Sequence, residues 1–95
     1  MDTLYEKNPD VIFRKIAGEY LLMPIKQKAV DLRSIYTLNE TASCIWQLLD
    51  GKTTIGDIQK ALCEQFDITS EQALWDIQEF VSQLEALGFI HRISR

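Results

Sequence analysis

The spacing of apolar residues changes once along the chain, from a period of two to a period near 3.6, and the change falls at Asn39. Residues 1–10 are polar and carry Pro9, so they predict a loose lead-in. Val11–Ile16 is rich in Val, Ile and Phe and predicts a strand. Ala17-Gly18 predicts a turn, because Gly18 takes a positive φ at no steric cost. Glu19–Ile25 predicts a second strand, paired with the first as a hairpin. Both of its faces are apolar (Tyr20 and Leu22 on one, Leu21, Met23 and Ile25 on the other), the pattern of a central strand, and Pro24 limits it near its end. Residues 26–31 are mostly polar and predict a loop. Arg33–Leu38 alternates and predicts a third strand.

Beyond Asn39 the pattern is helical. Asn39 is an N-cap, since its side-chain oxygen can accept an orphan N–H of the first turn. Ala42, Ile45, Trp46 and Leu49 then recur as one apolar stripe, which Asp50-Gly51 terminates. Thr54 caps a second helix, with Asp57 three residues on, and Ile55, Ile58 and Leu62 form its buried side. Phe66-Asp67-Ile68 is a connector. Thr69 or Ser70 caps the third and longest helix, with Gln72 placed to complete a capping box. Ala73, Ile77, Phe80, Val81, Leu84 and Leu87 keep one face apolar until Gly88 stops the helix. Phe89–Ile93 is an extended tail of the kind a wing strand would use. The predicted fold is α+β: an N-terminal three-stranded antiparallel sheet followed by a three-helix, winged helix-turn-helix-like bundle, in one domain spanning 1–95.

Composition narrows the function. An apolar share of 46% and a charged share of 25% fit one globular core rather than disorder. No apolar run reaches the roughly 18–20 residues that cross a bilayer, and the N-terminus lacks the basic-then-apolar pattern of a signal peptide. The expectation is a cytoplasmic protein with no membrane partner. Cys44 and Cys63 lie far apart and His91 is the one histidine, so no structural zinc set is present; both thiols read as reduced and core or half-buried. His91 has no Ser or Cys beside it in sequence, and the glycines sit singly at turns rather than in a phosphate loop. A non-catalytic protein with no cofactor is expected.

Charge then bears on the helix order. From Asn39 to Leu87 the bases are Lys52 and Lys60, against Glu40, Asp50, Asp57, Glu64, Asp67, Glu71, Asp76, Glu79 and Glu85. The third helix, in the position of a recognition helix, has no Lys or Arg. Duplex affinity comes largely from Lys and Arg on phosphates, so a nucleic-acid-binding regulator, the alternative that the winged-helix order invites, lacks its electrostatic footing. Trp46 falls on the buried stripe of the first helix. Trp75 falls nearly opposite Ile77, off the apolar face, and is either semi-exposed or part of a contact surface.

The run Leu38–Ile58, LNETASCIWQLLDGKTTIGDI, resembles the PqqD family, proteins related to pyrroloquinoline quinone biosynthesis protein D, whose pattern there is Leu-Asn-x-x-Ala-x-x-Ile-Trp-x-Leu-Leu-Asp-Gly-x-x-Thr. Trp75–Ile90, WDIQEFVSQLEALGFI, is similar to the family's Asp-Val-x-x-Phe-Leu-x-x-Leu-x-x-x-Gly-Leu-Ile tail, and Arg14-x-x-x-Gly18-Glu19-Tyr20-Leu21-Leu22 agrees upstream. The resemblance spans about residues 9–93 and is carried mostly by core and cap positions. The form Trp46–Gly51 looks like the broad PqqD-like group rather than the member dedicated to the quinone cofactor, so the pathway stays open.

The resemblance implies a peptide chaperone, a recognition element for ribosomally made, modified peptides. Such proteins bind the leader of a precursor peptide and present it to a modifying enzyme, often a radical S-adenosylmethionine protein. The leader is expected to add as a strand beside the third strand, against the third helix. An unpaired strand edge is physically suited to this, because backbone pairing supplies affinity and side-chain pockets supply selectivity. Ser34, Ile35, Tyr36 and Thr37 are the expected edge. Asp76, Glu79, Phe80 and Gln83 are the expected helix flank, with Leu74, Gln78 and Ser82 on the opposite flank as the alternative. An adaptor that docks to an enzyme with no peptide of its own is a third reading. The free edge also admits self-pairing, so monomer and homodimer both remain open.

Overall fold

The computed structural model describes residues 3–26, 29–30 and 34–93. Among these residues six strands and three α-helices follow in the order β1 Leu4–Lys7, β2 Val11–Ile16, β3 Glu19–Lys26, β4 Ala29–Val30, β5 Tyr36–Leu38, α1 Glu40–Leu48, α2 Ile55–Gln65, α3 Ser70–Leu87 and β6 Ile90–Ile93. All pairings are antiparallel. β2, β3, β4 and β5 form one sheet, and β1 and β6 form a separate two-stranded ribbon.

Strand β3 organises the sheet. β2 runs along one of its sides over its whole length, from Val11↔Pro24 to Ile16↔Glu19. On the other side β5 pairs its first half (Tyr20↔Leu38, Leu21↔Thr37, Leu22↔Tyr36), and β4 pairs its end (Ile25↔Val30, Lys26↔Ala29). The register puts Tyr20, Leu22, Tyr36 and Leu38 on one face. Leu22 is fully buried there and joins the helices' own apolar residues, Ile45, Leu49, Ile58, Leu62, Ile77 and Leu84, in one core. Phe13 stacks on Tyr20 with ring centroids 5.8 Å apart.

Local chemistry at the helix ends follows the sequence closely. Asn39 Oδ1 accepts from Ala42 N, Thr54 Oγ1 from Asp57 N, and Thr69 Oγ1 from Gln72 N. Thr69, rather than Ser70, is the third cap. Its capping box is half made, because the Gln72 amide turns along the helix to donate to Asp76 Oδ1 at 2.8 Å. Gly88 closes α3 with φ of 76°, the left-handed cap that glycine takes without strain.

Three expectations need correction. The lead-in is not loose over its described part: Leu4 and Tyr5 are buried, and Leu4–Lys7 pairs with the tail (Leu4↔Ile93 to Lys7↔Ile90). Two adjacent apolar residues in a polar stretch carry no period, yet both are buried, and Tyr5 joins the same core as Phe89 and Ile90. Arg92 adds its guanidinium over the Tyr5 ring at 5.8 Å. The sheet has more than three strands, because β4 forms inside the expected loop. The third strand is shorter than Arg33–Leu38: Ser34 is helical rather than extended, and Ile35 precedes the strand Tyr36–Leu38. Arg33, residues 27, 28 and 31 of the expected loop, and residues 1–2 of the lead-in lie outside the described residues.

The tail matters most for what it leaves alone. β6 pairs with β1, so it does not occupy the margin of β5. Lys7 lies with its ammonium 5.3 Å from the centre of the buried Trp46 ring. Burial lowers its pKa from the ordinary lysine value, opposed in part by the nearby Asp50 carboxylate.

Candidate functional site

Because β5 ends at Leu38 and Asn39 caps the next helix, the outer margin of β5 and the first turn of α1 are continuous. Helix α3 lies across from them. Burial of Ile77, Phe80, Val81 and Leu84 fixes its rotation, and this turns Asp76, Glu79 and Gln83 toward β5. Between the two walls lies a groove of about 270 Å³, lined by Tyr36 and Thr37, by Asn39, Thr41, Ala42 and Ile45, and by Asp76, Glu79, Phe80 and Gln83.

The floor is apolar. Ile45 is almost fully buried, Phe80 is 7% exposed, and the Tyr36 ring meets Phe80 with centroids 6.1 Å apart and planes tilted by 55°. The Tyr36 hydroxyl donates to Gln83 Oε1 and ties the strand to the helix at one end of the groove. Asp76 and Glu79 supply the charge of the lining, which contains no Lys or Arg. The lining contains no His or Cys either, and among the described residues no cluster of three or more His, Cys, Asp or Glu is placed to hold a metal ion. Among the described residues, no strand pairs with the side of β5 that faces away from β3. An unpaired strand margin beside apolar side chains leaves backbone N–H and C=O groups with which an extended chain can pair.

Six of the residues singled out in the sequence thus meet at one groove: Tyr36, Thr37, Asp76, Glu79, Phe80 and Gln83. Ser34 does not join them. It lines a different hollow, with Pro24 and Leu87. Ile35 is 36% exposed and lines neither. The opposite flank of α3 faces elsewhere: Gln78 and Ser82 line a hollow with Tyr5, Ile55 and Arg92, and Leu74 packs against the core. The α1 contribution, Asn39, Thr41, Ala42 and Ile45, was not anticipated. Its signal was present in the chain, because a strand followed at once by a helix cap must carry the helix's first turn to the strand's margin.

The sequence profile of PqqD, described as coenzyme PQQ synthesis protein D, matches residues 19–90. The chain belongs to the PqqD family. The match runs from the start of β3 to the first residue of β6 and so contains both walls of the groove. No curated protein matches the sequence. Two solved structures are similar in fold. One is TbiB1 in complex with the TbiA(beta) leader peptide, with a TM-score of 0.74, 18% identity, and coverage of 95% of this chain and 99% of that one. The other is a lasso peptide synthetase B1 complexed with the leader peptide, with a TM-score of 0.75, 20% identity, and coverage of 92% and 96%. Among the described residues no helix is long and apolar enough to cross a membrane.

Proposed function

We propose that this PqqD-family chain is a non-catalytic peptide chaperone. It binds the leader of a ribosomally made precursor peptide as an extra strand along β5 and presents it to a modifying enzyme, a radical S-adenosylmethionine protein in the reading the family favours. The observation that carries the proposal is the margin of β5, unclaimed among the described residues, facing α3 across an apolar floor of Ala42, Ile45 and Phe80. Backbone groups on that margin pair with any extended chain, and the floor selects among side chains. The two solved structures similar in fold each hold a leader peptide, which supports the same use here.

The three helices with the β1–β6 ribbon behind them are read as a winged-helix-like arrangement put to peptide binding rather than to nucleic acid. Helix α3 carries Glu71, Asp76, Glu79 and Glu85 and no base, so its field repels phosphate. The cytoplasm, where precursors are made, is the proposed location.

The experiment is an NMR titration of the labelled protein with a synthetic leader of the precursor peptide encoded beside its gene. Shifts concentrated on β5, the first turn of α1 and the Asp76–Gln83 flank support the groove. Shifts confined to the β1–β6 ribbon or the α2 surface exclude it.

A further inference from the structure

Trp75 is 63% exposed, the most exposed of the large hydrophobic side chains in the described chain. It is not stranded at random. Glu71 lies one turn before it and Glu79 one turn after, on the same stripe of α3, and both are exposed. Trp75 lines a shallow, mainly apolar hollow with Gln78, Glu79, Ser82 and Gln83. Glu79 and Gln83 are also the outer wall of the groove. A chain leaving the groove over that wall therefore arrives on the indole.

An indole face attracts cations through its quadrupole, and flanking carboxylates strengthen the attraction while repelling acids. The described chain sets three of its own cations over aromatic rings: Lys7 over Trp46, Lys15 over Tyr20 and Arg92 over Tyr5. Trp75 has no such partner among the described residues, and neither Glu71 nor Glu79 is in an ion pair there.

We propose that Trp75, with Glu71 and Glu79, is a second reading point for the same leader, taking a lysine or arginine side chain of the peptide just outside the groove. The inference rests on the groove being the leader site, and it adds a charge requirement that the groove floor does not impose. The cation lies over the indole with its N–H groups toward the two carboxylates, so the contact is sensitive to salt.

The test uses a positional-scanning library of fluorescein-labelled peptides, about fourteen residues long, enough to run along β5 and cross the wall at roughly 3.3 Å per residue. Affinity is read by fluorescence anisotropy for the wild type, W75A, E79Q and F80A. The expected result is a preference for Lys or Arg at one position of the peptide, with binding weakened about five- to tenfold by W75A and the preference flattened by E79Q. Thermal unfolding of W75A should match the wild type, since the side chain is exposed. Peptides that bind through the groove, weakened by F80A, with no basic preference and no effect of W75A, overturn this inference and leave the chaperone reading standing. Normal peptide affinity in W75A combined with lost modification would assign Trp75 to the enzyme and also overturn it. Binding of no peptide in the library at any salt concentration overturns both.

Discussion

The Tyr36 hydroxyl donates to the Gln83 side-chain oxygen, joining the edge strand β5 to helix α3 at one end of the groove. Residues far apart in sequence are thereby held at a fixed spacing, and the strand margin is aligned beside the acidic flank of the helix. The bond is exposed, so its contribution to stability is small, and its effect is on position.

Replacing Tyr36 with Phe keeps the ring contact with Phe80 and removes only the hydroxyl. The expected cost is no more than about 0.5 kcal/mol, ordinary for an exposed site, read from the urea midpoint. Leader affinity should fall as well, because the strand and the helix are no longer tied. An unchanged affinity would show that the groove holds its width without the bond.

Leu22 is the point where the sheet meets the helical core, with no exposed surface. Leu22→Ala removes buried methyl groups and leaves a cavity, at a cost of about 2–5 kcal/mol. In a domain this small that is a large part of the total, and a lowered melting temperature with a less cooperative transition is expected. A change under about 0.5 kcal/mol, ordinary for a surface site, would contradict the burial of this residue.

The β2–β3 turn holds Ala17 at φ of 52° and Gly18 at φ of 83°. Both central residues of a two-residue hairpin turn then have positive φ, which suits Asn-Gly and penalises alanine by roughly 1 kcal/mol. Ala17→Asn should raise the chemical-denaturation midpoint by a comparable free energy. A destabilised variant would mean that the turn is of another type.

Asp50 caps the turn after α1, accepting from the backbone N–H groups of Lys52 and Thr53 and from the Thr53 hydroxyl. The bond from Lys52, with those from Thr53, holds its carboxyl pKa below the ordinary aspartate value, against an opposing effect of desolvation. A group whose folded pKa is depressed stabilises the fold above its unfolded pKa of about 4 and loses that contribution as pH falls through the folded value. Stability of the wild type should therefore decline below about pH 4 more than that of Asp50→Asn. Parallel pH profiles would remove Asp50 from the account.

Trp46 is 2% exposed and Trp75 is 63% exposed. Acrylamide should quench roughly half of the tryptophan emission readily, and Trp75→Phe should abolish that accessible fraction while leaving the protein folded. A single, poorly quenched population would place Trp75 in an interface.

How far the sequence led depends on how local each signal is. Asn39, Thr54, Thr69 and Gly88 announce helix ends because each acts on backbone groups within a few residues, and all four do so in the structure. β1 was hidden because its partner is β6, at the other end of the chain, and Leu4-Tyr5 is too short to show a period. The groove was half legible. The helical stripe isolated two flanks of α3, but only the contacts of Ile77 and Phe80 with the rest of the core decide that Asp76, Glu79 and Gln83 meet β5. Ser34 misled because strand propensity extends past the residues that actually pair with β3, which are Tyr36–Leu38.

Strand addition engages backbone groups of β5, so amide hydrogen exchange tests it most directly. With saturating synthetic leader, the β5 amides that point away from β3 should slow by at least about tenfold, equivalent to roughly 1.4 kcal/mol, while the β1–β6 ribbon is unaffected. Unchanged exchange along Tyr36–Leu38 in a demonstrably bound complex would contradict strand addition at this margin.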